Sequence, residues 1–196
     1  MKGLLLIGGK STRLPGKCFL PMKDGMPVFM SALNLFGKTK IKEVVIPVLP
    51  GHVKLFERII DRFLGHMSFP LVEPIFTVDS QSGVCNAITR TAETADDDLF
   101  VLCGDNIYGF DVPESLMKGG VAVRQMRPEF SRHLAFYNEE PLITPWVLPG
   151  LWARQAYLYD SVPRFLNAQR APHVYIQEGE WWDIGTEETY EAYWTS

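Results

Sequence analysis

Met1-Lys2-Gly3-Leu4-Leu5-Leu6-Ile7 runs straight into Gly8-Gly9-Lys10-Ser11-Thr12-Arg13-Leu14-Pro15-Gly16-Lys17, and this junction decides the fold. An apolar run this short, closed by two glycines, predicts a buried strand followed by a loop. The glycines let the backbone turn tightly and bring its N–H groups close to an anion. Lys10, Arg13 and Lys17 add three positive charges within eight residues. The loop is therefore either an anion site or a solvated turn after a strand.

Moving outward, Phe29, Ala32, Leu33 and Phe36 follow Pro27 at the spacing of an amphipathic helix with proline in its first turn. Residues 44–48 read as a second strand, and Phe56, Ile59, Ile60 and Phe63 repeat the helical spacing. Residues 69–76, broken by Pro70 and Pro74, read as an irregular strand. Residues 83–95 read as a helix, with Ala87, Ile88, Thr91 and Ala92 on one side. Residues 99–103 form a fourth strand that stops at Gly104-Asp105. Strand and helix thus alternate, which predicts an α/β fold: a mostly parallel sheet covered on both faces. In such sheets ligands bind beyond the C-terminal ends of the strands. Residues 8–17 and 104–106 both follow strands and should open on one edge.

The second half is less regular. Residues 120–125, 134–137 and 157–159 read as strands, and 161–168 as a helix. Residues 186–194 read as a helix capped by Thr186, with Glu187 and Glu188 in its favourable first turn. No repeat or linker interrupts the chain, so residues 1–196 read as one domain.

The 196 residues suffice for a real core. A net charge of −4 makes a sequence-independent nucleic-acid binder a poor fit. Cys18, Cys85 and Cys103 form no CxxC pair, so neither a zinc ribbon nor a redox pair is suggested, and the chain reads as a reduced, cytoplasmic protein. No apolar stretch approaches the roughly 18 residues of a membrane span, and no signal peptide is recognisable.

Two carboxylates stand out. Asp105, after a buried strand and beside a glycine, is either a turn or cap residue or a ligand for a hard cation. Asp183, within Trp181-Trp182-Asp183-Ile184-Gly185-Thr186, makes either a local turn bond or a metal contact. His52, His66, His133 and His173 lack ligand spacing. Trp146 and Trp152 either stack on a ligand or pack. Tyr190, Tyr193 and Trp194 serve core packing or a subunit contact, which leaves a homo-oligomer open. Gly9-Lys10-Ser11 imitates the end of a P-loop, but that motif needs an earlier glycine where this chain has Leu4.

Taken together these segments resemble the sugar-phosphate nucleotidyltransferases, particularly the glucose-1-phosphate thymidylyltransferase group. The carriers are Gly8-Gly9-Lys10-Ser11-Thr12-Arg13-Leu14, then Lys17-Cys18-Phe19-Leu20-Pro21, Gly83 to Ala87, Gly104-Asp105-Asn106-Ile107 and Trp181 to Thr186. The resemblance implies a Rossmann-like three-layer sandwich with a mixed, mostly parallel sheet. Residues 1–110 would form the nucleotide-binding half and 111–196 the acceptor half. It implies that Arg13 and Lys17 contact the triphosphate, with Gly8, Gly9, Lys10, Ser11, Thr12 and Gly104 around the nucleotide. Gln81 and Gly83 would lie near the base, and Asp105 and Asp183 would hold Mg²⁺. Catalytic roles fall to Arg13, Lys17 and Asp105. Glu139, Gly150 and Arg154 would face the acceptor. A sugar 1-phosphate would attack the α-phosphorus and pyrophosphate would leave.

The chain departs from the pattern in places. Ser11 replaces the third glycine, and only three residues separate Arg13 from Lys17, a spacing more like the molybdenum-cofactor guanylyltransferases. The family's Glu-Lys-Pro aligns with Glu139-Glu140-Pro141, so its phosphate-binding lysine is absent, and Arg124, Arg132 or Arg154 would take over that charge. Three readings follow: an enzyme making a nucleotide sugar, a nucleotidyltransferase with a phosphocholine or cofactor-phosphate acceptor, or a non-catalytic nucleotide sensor.

Overall fold

The computed structural model describes residues 1–7, 14–66, 72–78, 82–118, 120–123, 136–137, 140–169, 174–176 and 179–196. In chain order the elements are β1 (Lys2–Leu6), α1 (Val28–Gly37), β2 (Glu43–Val48), α2 (Val53–Phe63), β3 (Glu73–Val78), α3 (Val84–Ala95) and β4 (Leu99–Cys103). They continue with β5 (Asn106–Gly109), β6 (Gly120–Val123), β7 (Phe136–Tyr137), β8 (Glu140–Leu148), α4 (Gly150–Ala153), α5 (Val162–Ala168), β9 (Val174–Ile176), β10 (Glu180–Asp183) and α6 (Glu187–Thr195).

Along β1 and β4 the side chains divide by turns between two cores, as a period of two requires. Leu5, Phe100 and Leu102 join one core with Phe29, Leu33 and Phe36 of α1 and Phe56 and Ile60 of α2. Leu4, Leu99 and Val101 join the other with Ile88 and Ala92 of α3, Ala153 of α4 and Phe165 and Leu166 of α5. Both faces of these strands are therefore covered, which is why they read as unbroken apolar runs. The result is the sheet covered on both faces that the alternation predicts, and the three-layer, Rossmann-like sandwich that the resemblance implies.

The main sheet runs β3-β2-β1-β4-β8-β6-β9, with β7 beside β8. β3, β2, β1 and β4 are parallel, and β6 is parallel to β9. β8 is the antiparallel exception, set between β4 and β6. The sheet thus passes unbroken from the first half of the sequence into the second. A separate ribbon pairs β5 with β10, Asp183 standing opposite Asn106.

That ribbon alters α1. The sequence predicts an amphipathic helix, yet eight of its ten residues are buried, Ser31 among them. β5 lies on its outer side, and the Tyr108 backbone N–H donates to Ser31 Oγ at 2.8 Å. The helix is thereby enclosed from two directions, a tertiary effect that no periodicity within the helix reveals.

Residues 157–159, expected as a strand, are the end of the 3₁₀ turn Ala156–Leu158 and its C-cap, Tyr159. Leu158 N–H donates to Gln155 O and Tyr159 N–H to Ala156 O, while Tyr157 N–H is taken by Thr89 Oγ1 of α3. Those bonds leave no donor for a sheet edge. Strands β5, β8, β9 and β10 were not anticipated. Residues 69–71, 124–125 and 134–135 of the expected strands lie outside the described residues.

α6 starts as the sequence predicts. Thr186 Oγ1 accepts from the Thr189 N–H, and Thr189 Oγ1 accepts in return from the Thr186 N–H. Thr186→Ala removes half of this reciprocal cap and should cost about 1 kcal/mol. Urea denaturation should show a lower midpoint at unchanged slope, and an unchanged midpoint would mean that the cap contributes nothing.

Candidate active site

β1 leads through α1 to β2 on one side, and β4 lies on its other side. The C-terminal ends of β1 and β4 therefore form the point at which strand order reverses, where ligand crevices open in such sheets. Leu6 stands opposite Cys103, and the Gly104 N–H donates to Leu6 O at 2.9 Å. A Cβ on Gly104 would lie 1.9 Å from Ile7 Cγ2. Tight packing of β1 on β4 thus accounts for this glycine, which the sequence had assigned to a nucleotide contact.

Asp105 sits in the turn that follows. Its backbone carbonyl accepts from the Ile184 N–H at 2.8 Å, which ties the turn to the end of β10. The β5–β10 pairing then carries Asp183 alongside. Asn106 Nδ2 donates to Asp105 Oδ1 at 3.2 Å and to Asp183 Oδ1 at 3.1 Å. Two carboxylates far apart in sequence therefore share one amide group.

Lys17 completes the cluster. Gly16, at φ +68°, turns the chain in the left-handed region that favours glycine. The short 3₁₀ helix Lys17–Phe19 follows, burying Cys18 and stacking Phe19 edge-on against Phe29. Lys17 Nζ forms an ion pair with Asp105 Oδ2, both side chains being largely buried. Burial works against the ammonium charge, but the charge and hydrogen bond of Asp105, with Asp183 behind, outweigh it and raise the Lys17 pKa. Lys17 thus stays cationic at neutral pH, directed at a carboxylate.

The segment after Lys17 is braced from α6. Tyr190 Oη donates to Pro21 O at 2.8 Å, and Tyr193 Oη accepts from the Lys23 N–H at 3.0 Å. Beneath lies a third core of Met22, Val28, Ile107, Ile184 and Tyr193. Tyr193 and Tyr190 therefore serve packing within the chain, one of the two roles left open by their spacing.

Gly83 caps α3 on the same edge of the sheet, at φ +94° with nothing within 4 Å of a Cβ. Backbone conformation accounts for this glycine, and its surroundings are open. Gly150 and Arg154 are not brought to the site. The Gly150 N–H donates to Asp98 Oδ1 at 2.8 Å, and Arg154 pairs with Asp96. Both acidic residues precede β4, so these two lie about 16 Å, a five-residue strand, from Asp105. The antiparallel course of β8 explains it, because Leu148 ends opposite Leu99. Trp146 is buried and Trp152 packs beside it in the α3 core, which favours packing over stacking. Gly8, Gly9, Lys10, Ser11, Thr12, Arg13, Gln81, Arg124, Arg132 and Glu139 lie outside the described residues.

The thiols offer no nucleophile here. Burial first, then the Asp105 charge, pushes Cys18 up to about 12, and the same two causes raise Cys103 well above its ordinary value. Two carboxylates suit a hard cation that keeps water and phosphate oxygens as its remaining ligands. Among the described residues no group of three or more His, Cys, Asp or Glu side chains forms a closed cage. Sequence reasoning missed Thr144 and Tyr108, which reach Asn106 from behind, because neither stands in a motif.

No protein-family model matches the chain. A protein of Thermococcus sibiricus described as a molybdenum cofactor guanylyltransferase is 30% identical over 106 residues, 54% of this chain. The match spans about half of that relative, 48% of its length. A solved structure from Bacillus anthracis, described as a glucose-1-phosphate thymidylyltransferase, superimposes with a TM-score of 0.76 at 17% identity, covering 98% of this chain and 93% of that one. A UDP-glucose pyrophosphorylase in complex with UDP-glucose gives 0.71 at 16%, covering 99% and 98%. The inositol-1-phosphate CTP transferase of T. maritima gives 0.71 at 16%, covering 98% and 93%. The chain has the nucleotidyltransferase fold. Among the described residues no helix is long and apolar enough to cross a membrane.

Gly104→Ala should cost about 1–3 kcal/mol, the scale of overpacking, measured by chemical denaturation. A variant as stable as the parent would show that β1 and β4 part freely at this point.

Proposed function

We propose that the chain is a metal-dependent nucleotidyltransferase that joins a nucleoside monophosphate unit to the phosphate of a small acceptor. One observation carries the reading. Asp105 and Asp183 lie on either side of one amide, beside the Lys17 ammonium, at the strand ends where this fold opens a crevice. An all-oxygen pair with room for phosphate ligands fits Mg²⁺. When bound there it would neutralise phosphate charge.

The chain's own residues supply the rest. Lys17 holds positive charge at the site, and Lys10 and Arg13 would extend it along the triphosphate in the nucleotide half, residues 1–110. Gln81 and the open approach at Gly83 would receive the base. In the transfer, an acceptor phosphate oxygen bonds to the α-phosphorus, the bond to the bridging oxygen breaks, and pyrophosphate leaves. The nucleophile is already an anion, so no general base is needed, and catalysis rests on positioning and charge. Glu139 in the half 111–196 is the acceptor contact retained. Gly150 and Arg154 are not carried forward, given their contacts with Asp98 and Asp96.

A sugar 1-phosphate is the leading acceptor, supported by the motif order. A cofactor phosphate is the second reading, favoured by the 30% match to the guanylyltransferase and by the short spacing between Arg13 and Lys17. The three free thiols support a reduced, cytoplasmic setting.

Incubation with Mg²⁺, each nucleoside triphosphate in turn and a panel of hexose 1-phosphates, phosphocholine and a phosphorylated pterin tests both readings. Pyrophosphate release is the measurement. Release with a sugar phosphate is expected; release with a non-sugar acceptor alone would move the assignment to the second reading, and none with any pair would favour a sensor. Asp105→Asn should lower kcat roughly 10²–10³-fold with the circular dichroism spectrum preserved. Undiminished turnover would remove Asp105 from the chemistry.

A further inference from the structure

We infer that Thr144 and Tyr108 are positioning residues, which lock the Asn106 amide so that its NH₂ group, and not its oxygen, spans Asp105 and Asp183. The inference rests on the metal reading of that carboxylate pair.

Donor counting carries it. Thr144 Oγ1 donates to Asn106 Oδ1 at 3.0 Å. A threonine hydroxyl has one proton, so toward Tyr108 Oη, which it also touches, Thr144 can only accept. Tyr108 Oη in turn accepts from the Cys103 N–H at 3.0 Å. Its own proton has Thr144 Oγ1, Cys103 O at 3.1 Å and Asn106 Oδ1 at 3.4 Å within reach, so the end of β4 and both hydroxyls gather around an amide oxygen that accepts. That orientation leaves both Nδ2 protons for the two carboxylates.

Reversing the amide would set its oxygen against two carboxylates and would remove the acceptor that the Thr144 and Tyr108 hydroxyls face. Tyr108, Asn106 and Thr144 are 8%, 5% and 1% exposed, so water cannot substitute for a lost partner. Each buried group left unpaired is costly. Asn106 and Tyr108 come from β5 and Thr144 from β8, with the end of β4 as anchor. The relay thus couples the sheet to the spacing of the carboxylates, although neither Thr144 nor Tyr108 touches them. Groups that orient a ligand set in this way commonly affect metal affinity 10–100-fold.

The test is Mn²⁺ binding, titrated by calorimetry in the presence of a non-hydrolysable nucleoside triphosphate. Thr144→Val keeps the shape and deletes the hydroxyl, and should weaken Mn²⁺ roughly tenfold. Thr144→Ser restores the hydroxyl and should recover the parent affinity. A merely structural threonine would not show that pattern at equal circular dichroism and melting temperature. Should Thr144→Val not fold, Tyr108→Phe, which deletes the second and more distant hydroxyl at the amide oxygen, carries the same test and should show a smaller loss. Parent-like affinity in the hydroxyl-deleted variant, or no recovery with serine, would overturn the relay alone. A parent protein that takes up no Mn²⁺ would overturn the metal reading, and the inference with it.

Discussion

Backbone pairing between β5 and β10 is the constraint on which the site depends. It sets Asp183 opposite Asn106, across a separation of 77 residues. Bringing two carboxylates together is unfavourable unless something compensates them. Here the compensation is double: the Asn106 amide donates to both, and Lys17 pairs with Asp105. The ribbon is held down by Ile107 and Ile184 in a small core with Met22, Val28 and Tyr193. Packing at the periphery of the sandwich thus sustains an arrangement of charges at its centre.

α1 links these levels. One side of it meets the main sheet, and the other meets β5 through Ser31 and the Tyr108 backbone. Because Tyr108 also belongs to the chain of hydroxyls behind Asn106, a displacement of α1 would be felt at the carboxylates. The close contact of Gly104 with Ile7 acts in the same sense, keeping the two central strands in register just where the site begins.

Lys17 gives the site a character that a simple division into basic loop and acidic pair does not anticipate. Its ammonium is directed at Asp105, and its charge is stabilised by both carboxylates. A cation and an anion that would both serve a triphosphate are here joined to each other. Meanwhile Cys18, next to Lys17 in sequence, is held protonated by burial and by Asp105, which leaves the polar work to oxygen and nitrogen groups.

Much of the fold was legible in the sequence, because the unbroken apolar runs of β1 and β4 and the helical spacings in α2 and α3 are local signals. Thr186 as a cap and the glycine turns were readable for the same reason. Asp105 and Asp183 stood out only as motifs, each with a bland alternative. Their proximity is a property of the β5–β10 ribbon, which has no signature in either segment. Gly150 and Arg154 were misdirected because chain order does not reveal that β8 runs antiparallel and ends at the far edge. Thr144 and Tyr108 carry no motif at all, since a hydroxyl acquires its role from what is buried around it. Sequence alone determined the strands, the helices and the candidate charges; tertiary structure decided which charges meet, because hydrogen bonding across strands acts between residues that are remote along the chain.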